Sequence, residues 1–258
     1  MATITENIQT LRSIKSDIKN AITDKGGNVG NDFKTYAQAI TNLPSGGGGG
    51  TEIEDALVMR TLSGTYYNNR VSRVGDYAFF YCQNLTSVNL PNCISVGVNA
   101  FAHCDSLTYV NLLLCKSLMD NAFSNALLLQ SISLPNCSYI GCQTFIFCSG
   151  LKSINLPLCK SFGEGYFGSC SAFAYCTGLS IVKIPLCSYI GEATFKECTN
   201  LKELYLNSVT SVAHISSNTF KNCPNLTSVY VPSSLVVEFM IAPYWSSISR
   251  KIVGYTGA

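Results

Sequence analysis

Residues 85–93 read LTSVNLPNC, residues 129–137 read LQSISLPNC, and residues 151–159 read LKSINLPLC. Each has the spacing L-x-x-(V/I)-x-L-x-x-C, and in a short strand successive side chains point to opposite faces. Val88 and Leu90 therefore go inward, and Ser87 and Asn89 go outward. Pro91, Pro135, Pro157 and Pro185 follow these strands, where a missing amide hydrogen does not break the inner ladder. Working outward from the strands, Phe79, Phe101, Phe123, Phe145 and Phe167 recur every 22 residues, and Leu85, Leu107, Leu129 and Leu151 keep that period six residues later. Such a period marks a solenoid, not a closed globular core. One coil cannot bury its own apolar side, so stability is expected to come from stacked neighbours.

The spacing is that of a leucine-rich repeat. The expected fold is a leucine-rich repeat solenoid with 22-residue coils and a parallel β-sheet face, joined to a small helical N-terminal segment. Alternation assigns the outward strand positions to Ser87 and Asn89, Tyr109 and Asn111, Ser131 and Ser133, Ser153 and Asn155, Ile181 and Lys183, Glu203 and Tyr205, then Ser228 and Tyr230. Stacking puts them on one extended face, polar toward the N-terminal half and richer in aromatic and charged groups toward the C-terminal half. Hydroxyl and amide groups with rigid tyrosines suit a protein, peptide or glycan ligand. Short polar side chains also simply keep a sheet soluble, and both readings stand at this point.

Hydrophobic residues make up 47% of the chain and charged residues 12%, about half the charged share of an ordinary soluble domain. Ser, Thr, Asn and Tyr must therefore form much of the surface. A net charge of +2 with no basic stripe gives no case for nucleic acid. No apolar run reaches membrane-spanning length, so no membrane insertion is expected. MATITENIQT has neither a basic start nor an apolar signal core, so no conventional signal peptide is visible.

Eight of the thirteen cysteines fall in two columns: Cys93, Cys115, Cys137 and Cys159, continued at Cys187 and replaced by Val209, and Cys82, Cys104 and Cys148, with Ala126 in the gap. Replacement by Val and Ala is the mark of a small buried hydrophobe, so stacked free thiols are expected. Cys142 stands apart, in the place held by Val98 or Glu164 in other repeats, and is expected to be an incidental surface thiol.

Outside the repeats, Ile4, Ile8, Leu11, Ile14, Ile18 and Ile22 recur at helical spacing, and a short second helix is expected over 32–40. Residues 1–43 are read as an attachment or oligomerisation segment, 44–50 as a glycine-rich linker, 51–75 as an N-terminal cap and first irregular coil, 76–232 as the solenoid, and 233–258 as a C-terminal cap. Trp245 is expected to seal the last coil. The period breaks twice, by six residues between Cys159 and Cys187, assigned to 167–173, and by three near 213–218. Insertions in repeats usually emerge as loops on one side.

No catalytic constellation is visible. His103 and His214 are the only histidines, and HExxH, a zinc-type CxxC pair, GxSxG and a dinucleotide glycine fingerprint are all missing. No enzyme activity, cofactor or metal is expected.

The units VGDYAFFYCQNLTSVNLPNC and IGEATFKECTNLKELYLNSV resemble the bacterial BspA-type leucine-rich repeat family over about residues 70–232, through an (A/T)F-x-x-C element added to the leucine pattern. The resemblance implies curved solenoids on surface proteins used in adhesion. Residues 14–40, IKSDIKNAITDKGGNVGNDFKTYAQAI, are similar to N-terminal segments of phage and prophage tail-associated proteins, which implies assembly inside a cell and release by lysis. Together they imply a non-enzymatic binding or adhesion protein with a protein or glycan ligand, attached or self-associated through 1–43. The alternative is a structural scaffold without a dedicated receptor.

Overall fold

The computed structural model describes residues 51–53, 62–163 and 170–256. The helices expected within 1–43, the glycine linker and Phe167 lie outside them. Within them the chain winds as a succession of short strands and tight turns, with every paired strand parallel to its neighbours.

The expected strand face is present. Its first section runs β2 (Gly64–Tyr67), β4 (Leu85–Asn89), β6 (Tyr109–Asn111) and β8 (Ser131–Ser133). Its second runs β10 (Ser153–Asn155), β11 (Ile181–Lys183), β12 (Glu203–Tyr205), β13 (Ser228–Pro232) and β14 (Ile252–Tyr255). After one shift between Gly64 and Thr65 the register is kept, so Val88 faces Val110 and Val110 faces Ile132, while Val182, Leu204 and Val229 align in the second section. A parallel register stacks like on like, which is why one repeat pattern serves every coil.

A second sheet was not anticipated. β1 (Thr51–Ile53), β3 (Val71–Val74), β5 (Ser95–Val96), β7 (Ser117–Leu118) and β9 (Tyr139–Ile140) form it, and single bridges Ile140 to Phe162, Ser161 to Tyr189 and Tyr189 to His214 carry it onward. Its two-residue strands are too short to show a periodicity of their own.

Between the sheets each coil makes a tight turn holding a non-glycine residue in left-handed conformation: Tyr81, His103, Asn125, Phe147, Tyr175, Glu197 and Asn222, with φ from 57° to 63°. Such a backbone costs on the order of 1–3 kcal/mol and persists only where neighbours over-determine it. Here the amide of each of the first six donates to the next coil, Tyr81 to the Ala102 carbonyl at 3.0 Å, His103 to Ser124 at 2.8 Å and Glu197 to Lys221 at 2.8 Å. Stacking holds the turn open.

The core is a file of phenylalanines. Phe79, Phe101, Phe123, Phe145, Phe173, Phe195 and Phe220 stack in sequence at 4.7–5.7 Å between ring centroids, with planes within 11° of parallel. The sequence places Phe167 at this period, but Phe173 occupies the slot. The six surplus residues are therefore 164–169, and Cys170, not Glu164, is the counterpart of Cys142. The later surplus also moves. His214 pairs with Tyr189 and stacks on it, whereas Val209 still keeps the 22-residue step from Cys187, so three extra residues lie between 210 and 213 rather than at 213–218.

At the C-terminal end, a 3₁₀ turn (Ser233–Leu235), α1 (Val236–Ile241) and a kinked 3₁₀ segment (Trp245–Lys251) fold over the last coil. Trp245 is 1% exposed, packs edge-on against Phe239 at 5.0 Å and tilted against Phe220, and donates its indole N–H to the Ala213 carbonyl at 2.6 Å. The last residues of this segment form β14, parallel to β13.

Candidate binding face

The outward positions divide into two columns set by the strand register. Ser87, Tyr109, Ser131, Ser153, Ile181, Glu203 and Ser228 form one, and Asn89, Asn111, Ser133, Asn155, Lys183, Tyr205 and Tyr230 form the other. Tyr109, Ser131, Ser153, Asn155 and Lys183 are exposed, while Ser87, Asn89, Asn111, Ser133, Glu203, Tyr205 and Tyr230 are half-buried by their neighbours.

Toward the N-terminal end, the polar groups spend their hydrogen bonds on each other. Ser87 donates to Thr65 at 2.9 Å, and the Asn111 side-chain amide Nδ2 donates to the Asn89 side-chain oxygen Oδ1 at 2.9 Å. The Asn111 side-chain oxygen Oδ1 is buried and has no hydrogen-bond partner.

Toward the C-terminal end the face is a built platform. Tyr205 and Tyr230 stack at 4.4 Å between centroids, the Lys183 ammonium sits 5.4 Å from the Tyr205 ring centre, and the Tyr205 hydroxyl donates to a Glu203 carboxylate oxygen at 3.0 Å. Burial, then the Glu203 carboxylate, pushes the Tyr205 phenol up to about 12. The phenol is thus a fixed donor, the rings are immobilised by stacking, and a cation and an anion flank them. Side chains held this way have little freedom left to lose on contact with another molecule.

The remaining sequence candidates take structural places. His103 stacks on Tyr81 at 4.5 Å, and His214 stacks on Tyr189 at 5.1 Å. None of the thirteen cysteines is in a disulfide, and all but Cys142 are buried. In the inner column Cys104, Cys148, Cys176, Cys198 and Cys223 donate to carbonyls of the preceding coil at 2.9–3.1 Å, and in the other column Cys93, Cys115, Cys137, Cys159 and Cys187 donate to the carbonyl two residues on. Burial raises the Cys93 thiol to about 11 and the Cys187 thiol to about 12. They are packing groups. Among the described residues no group of three His, Cys, Asp or Glu is placed to hold a metal ion, and no helix is long and apolar enough to cross a membrane.

The profile of the BspA type leucine rich repeat region matches residues 59–172 and 170–238, in six copies. The chain belongs to the BspA-type leucine-rich repeat family. As a BspA-type solenoid it offers the general ligand-binding and adhesion surface of a leucine-rich repeat protein. The leucine-rich repeat protein of T. pallidum is similar, at 26% identity and a TM-score of 0.56, covering 63% of this chain and 77% of that one. A leucine-rich repeat protein from Bacteroides ovatus aligns at 20% identity and a TM-score of 0.39, over 76% of this chain and 70% of that one. A leucine rich cell surface protein from Faecalibacterium prausnitzii aligns at 16% identity and a TM-score of 0.35, over 81% of this chain and 83% of that one. No curated protein matches.

Proposed function

We propose that this BspA-type protein is a non-enzymatic binding protein that engages a protein or glycan through the C-terminal part of its strand face. The observation that carries the reading is the Tyr205 and Tyr230 stack with Lys183 and Glu203 at its flanks. Preordered aromatic surface beside a cation and an anion suits the face of a sugar ring or an aromatic or polar peptide side chain. Residues 1–43 serve as the attachment or self-association segment in this proposal, and several copies held together would turn weak contacts into avidity. A virion or bacterial surface is the setting that such a display suits.

A screen against bacterial surface glycans and host matrix proteins tests the face. Any partner found is expected to lose at least about tenfold in affinity, roughly 1.4 kcal/mol, with Tyr205→Ala or Tyr230→Ala. Unchanged binding in both variants removes this face from the proposal. Light scattering on the full chain and on a chain lacking 1–43 separately tests self-association.

The scaffold reading is favoured by one observation, confined to the other end: the Ser87 and Asn111 hydrogen bonds already satisfy neighbouring coils. In that part, the polar face holds the stack together.

A further inference from the structure

Cys142 and Cys170 occupy equivalent places in neighbouring coils, separated by the 28-residue step that also relates Phe145 to Phe173. Cys142 is the one cysteine that is not buried, whereas Cys170 is 2% exposed. Between them lies Gly163, at φ +64°, and both sulfurs press on the space where a β-carbon at 163 would sit, each within about 2.5 Å of that point. The two sulfurs are thereby held within about 5 Å of each other. Adjacent parallel segments run about 4.8 Å apart, inside the span of α-carbons that a disulfide bridges. A side chain at 163 would wedge the sulfurs apart; glycine leaves the path between them open.

The pair is also chemically unequal. A hydrogen bond from the Cys170 thiol lowers the Cys142 thiol, against the opposing effects of burial and of Asp120, and the same contact with burial raises Cys170. One sulfur is accessible and inclined to the thiolate, the nucleophilic form; the other is protonated and behind it. The other cysteine columns are buried and donate to backbone carbonyls.

We propose that Cys142 is a reactive thiol and that Cys142 and Cys170 are a redox pair, closing a disulfide between coils by exchange with a small-molecule disulfide. The Cys142 thiolate attacks one sulfur of the small disulfide, forming a mixed disulfide and expelling one thiolate. Cys170 then gives up its proton, attacks the Cys142 sulfur and expels the second thiolate. With protonation of the leaving groups, two protein thiols become one disulfide, and one small disulfide becomes two thiols.

The full-length native protein, treated briefly with iodoacetamide and mapped by mass spectrometry, tests the first part. Cys142 is expected to be alkylated at least about tenfold faster than any other cysteine, as thiolate character and access dictate. A buried-column cysteine that labels as fast would overturn the assignment. Oxidised glutathione is then used as the probe. The expected product is a loss of two hydrogens with a linked Cys142 and Cys170 peptide, and Cys170→Ser is expected to stop at glutathione on Cys142. A wild-type protein that also stops at the mixed disulfide, or that links a different pair, sinks the redox pair without needing any variant to fold.

Discussion

β4, β6 and β8 on one side, and β11, β12 and β13 on the other, share a parallel register and an apolar interior, yet their outer faces do opposite things. In the first group Ser87, Asn89 and Asn111 turn their hydrogen bonds along the ladder to the neighbouring coil. In the second, Tyr205 and Tyr230 stack, and Lys183 and Glu203 attend them. The interior column is the same in both: Val88, Val110, Val182, Leu204 and Val229 are all fully buried. A solenoid thus separates its tasks by pleat. Inward residues stabilise each coil against the next, and outward residues are left to vary.

The largest effects should fall where the halves are alike. Phe123→Ala and Phe195→Ala are each expected to cost about 3–5 kcal/mol from lost burial and a residual cavity. For a chain of this size that lowers the thermal midpoint by roughly 10 °C. Parallel thermal melts check it, and a loss in one half much smaller than in the other breaks the equivalence of the interiors.

A smaller effect is expected at the C-terminal end alone. Trp245→Phe keeps the ring but strands the buried Ala213 carbonyl, which costs about 1–3 kcal/mol. Because each coil rests mainly on its neighbours, amides near 219–231 should exchange faster while those near 101–123 are unchanged. Uniform acceleration along the chain would show that the coils unfold as one unit.

Next, Tyr205→Ala is expected to alter stability by no more than about 1 kcal/mol, in contrast to its effect on binding, since a surface position supports little of the core. Denaturant titration sharpens the contrast. A loss of several kcal/mol would make the platform structural.

The subtlest expectation concerns protons. The folded Tyr205 phenol, about 12, lies above its ordinary value of 10.0. Whatever this contact contributes to stability is therefore complete below pH 10 and lost as pH rises through about 12. Ultraviolet difference titration of the protein against Tyr205→Phe should show that late ionisation, and Glu203→Gln should bring it down. Ionisation at 10 in both would remove the carboxylate's influence.

Much of the solenoid was legible because its rules are local. A two-residue alternation sorts Ser87 from Val88, and substitution of Cys by Val209 or Ala126 reveals a buried small residue. The insertions were harder to place. Phe167 keeps the 22-residue period in the sequence, but only stacking with Phe145 and Phe195 distinguishes the phenylalanine that is in the file. The left-handed turns were hidden for another reason: Tyr81, His103, Phe147 and Glu197 have no composition in common, because the next coil's carbonyl, not the side chain, selects the conformation.

The same distinction separates what the linear order determines from what the fold decides. Period, inward column and outward column follow from the sequence alone, since each depends on neighbours a few positions apart and repeats from coil to coil. The second sheet, the residence of Phe173, the stack of Tyr205 on Tyr230 and the convergence of Cys142 and Cys170 on Gly163 were decided by tertiary structure. They join residues 20–28 positions apart, and a surplus of three or six residues between coils shifts every such pairing. Only the hydrogen bonds and packing of one coil on the next select which shift is taken.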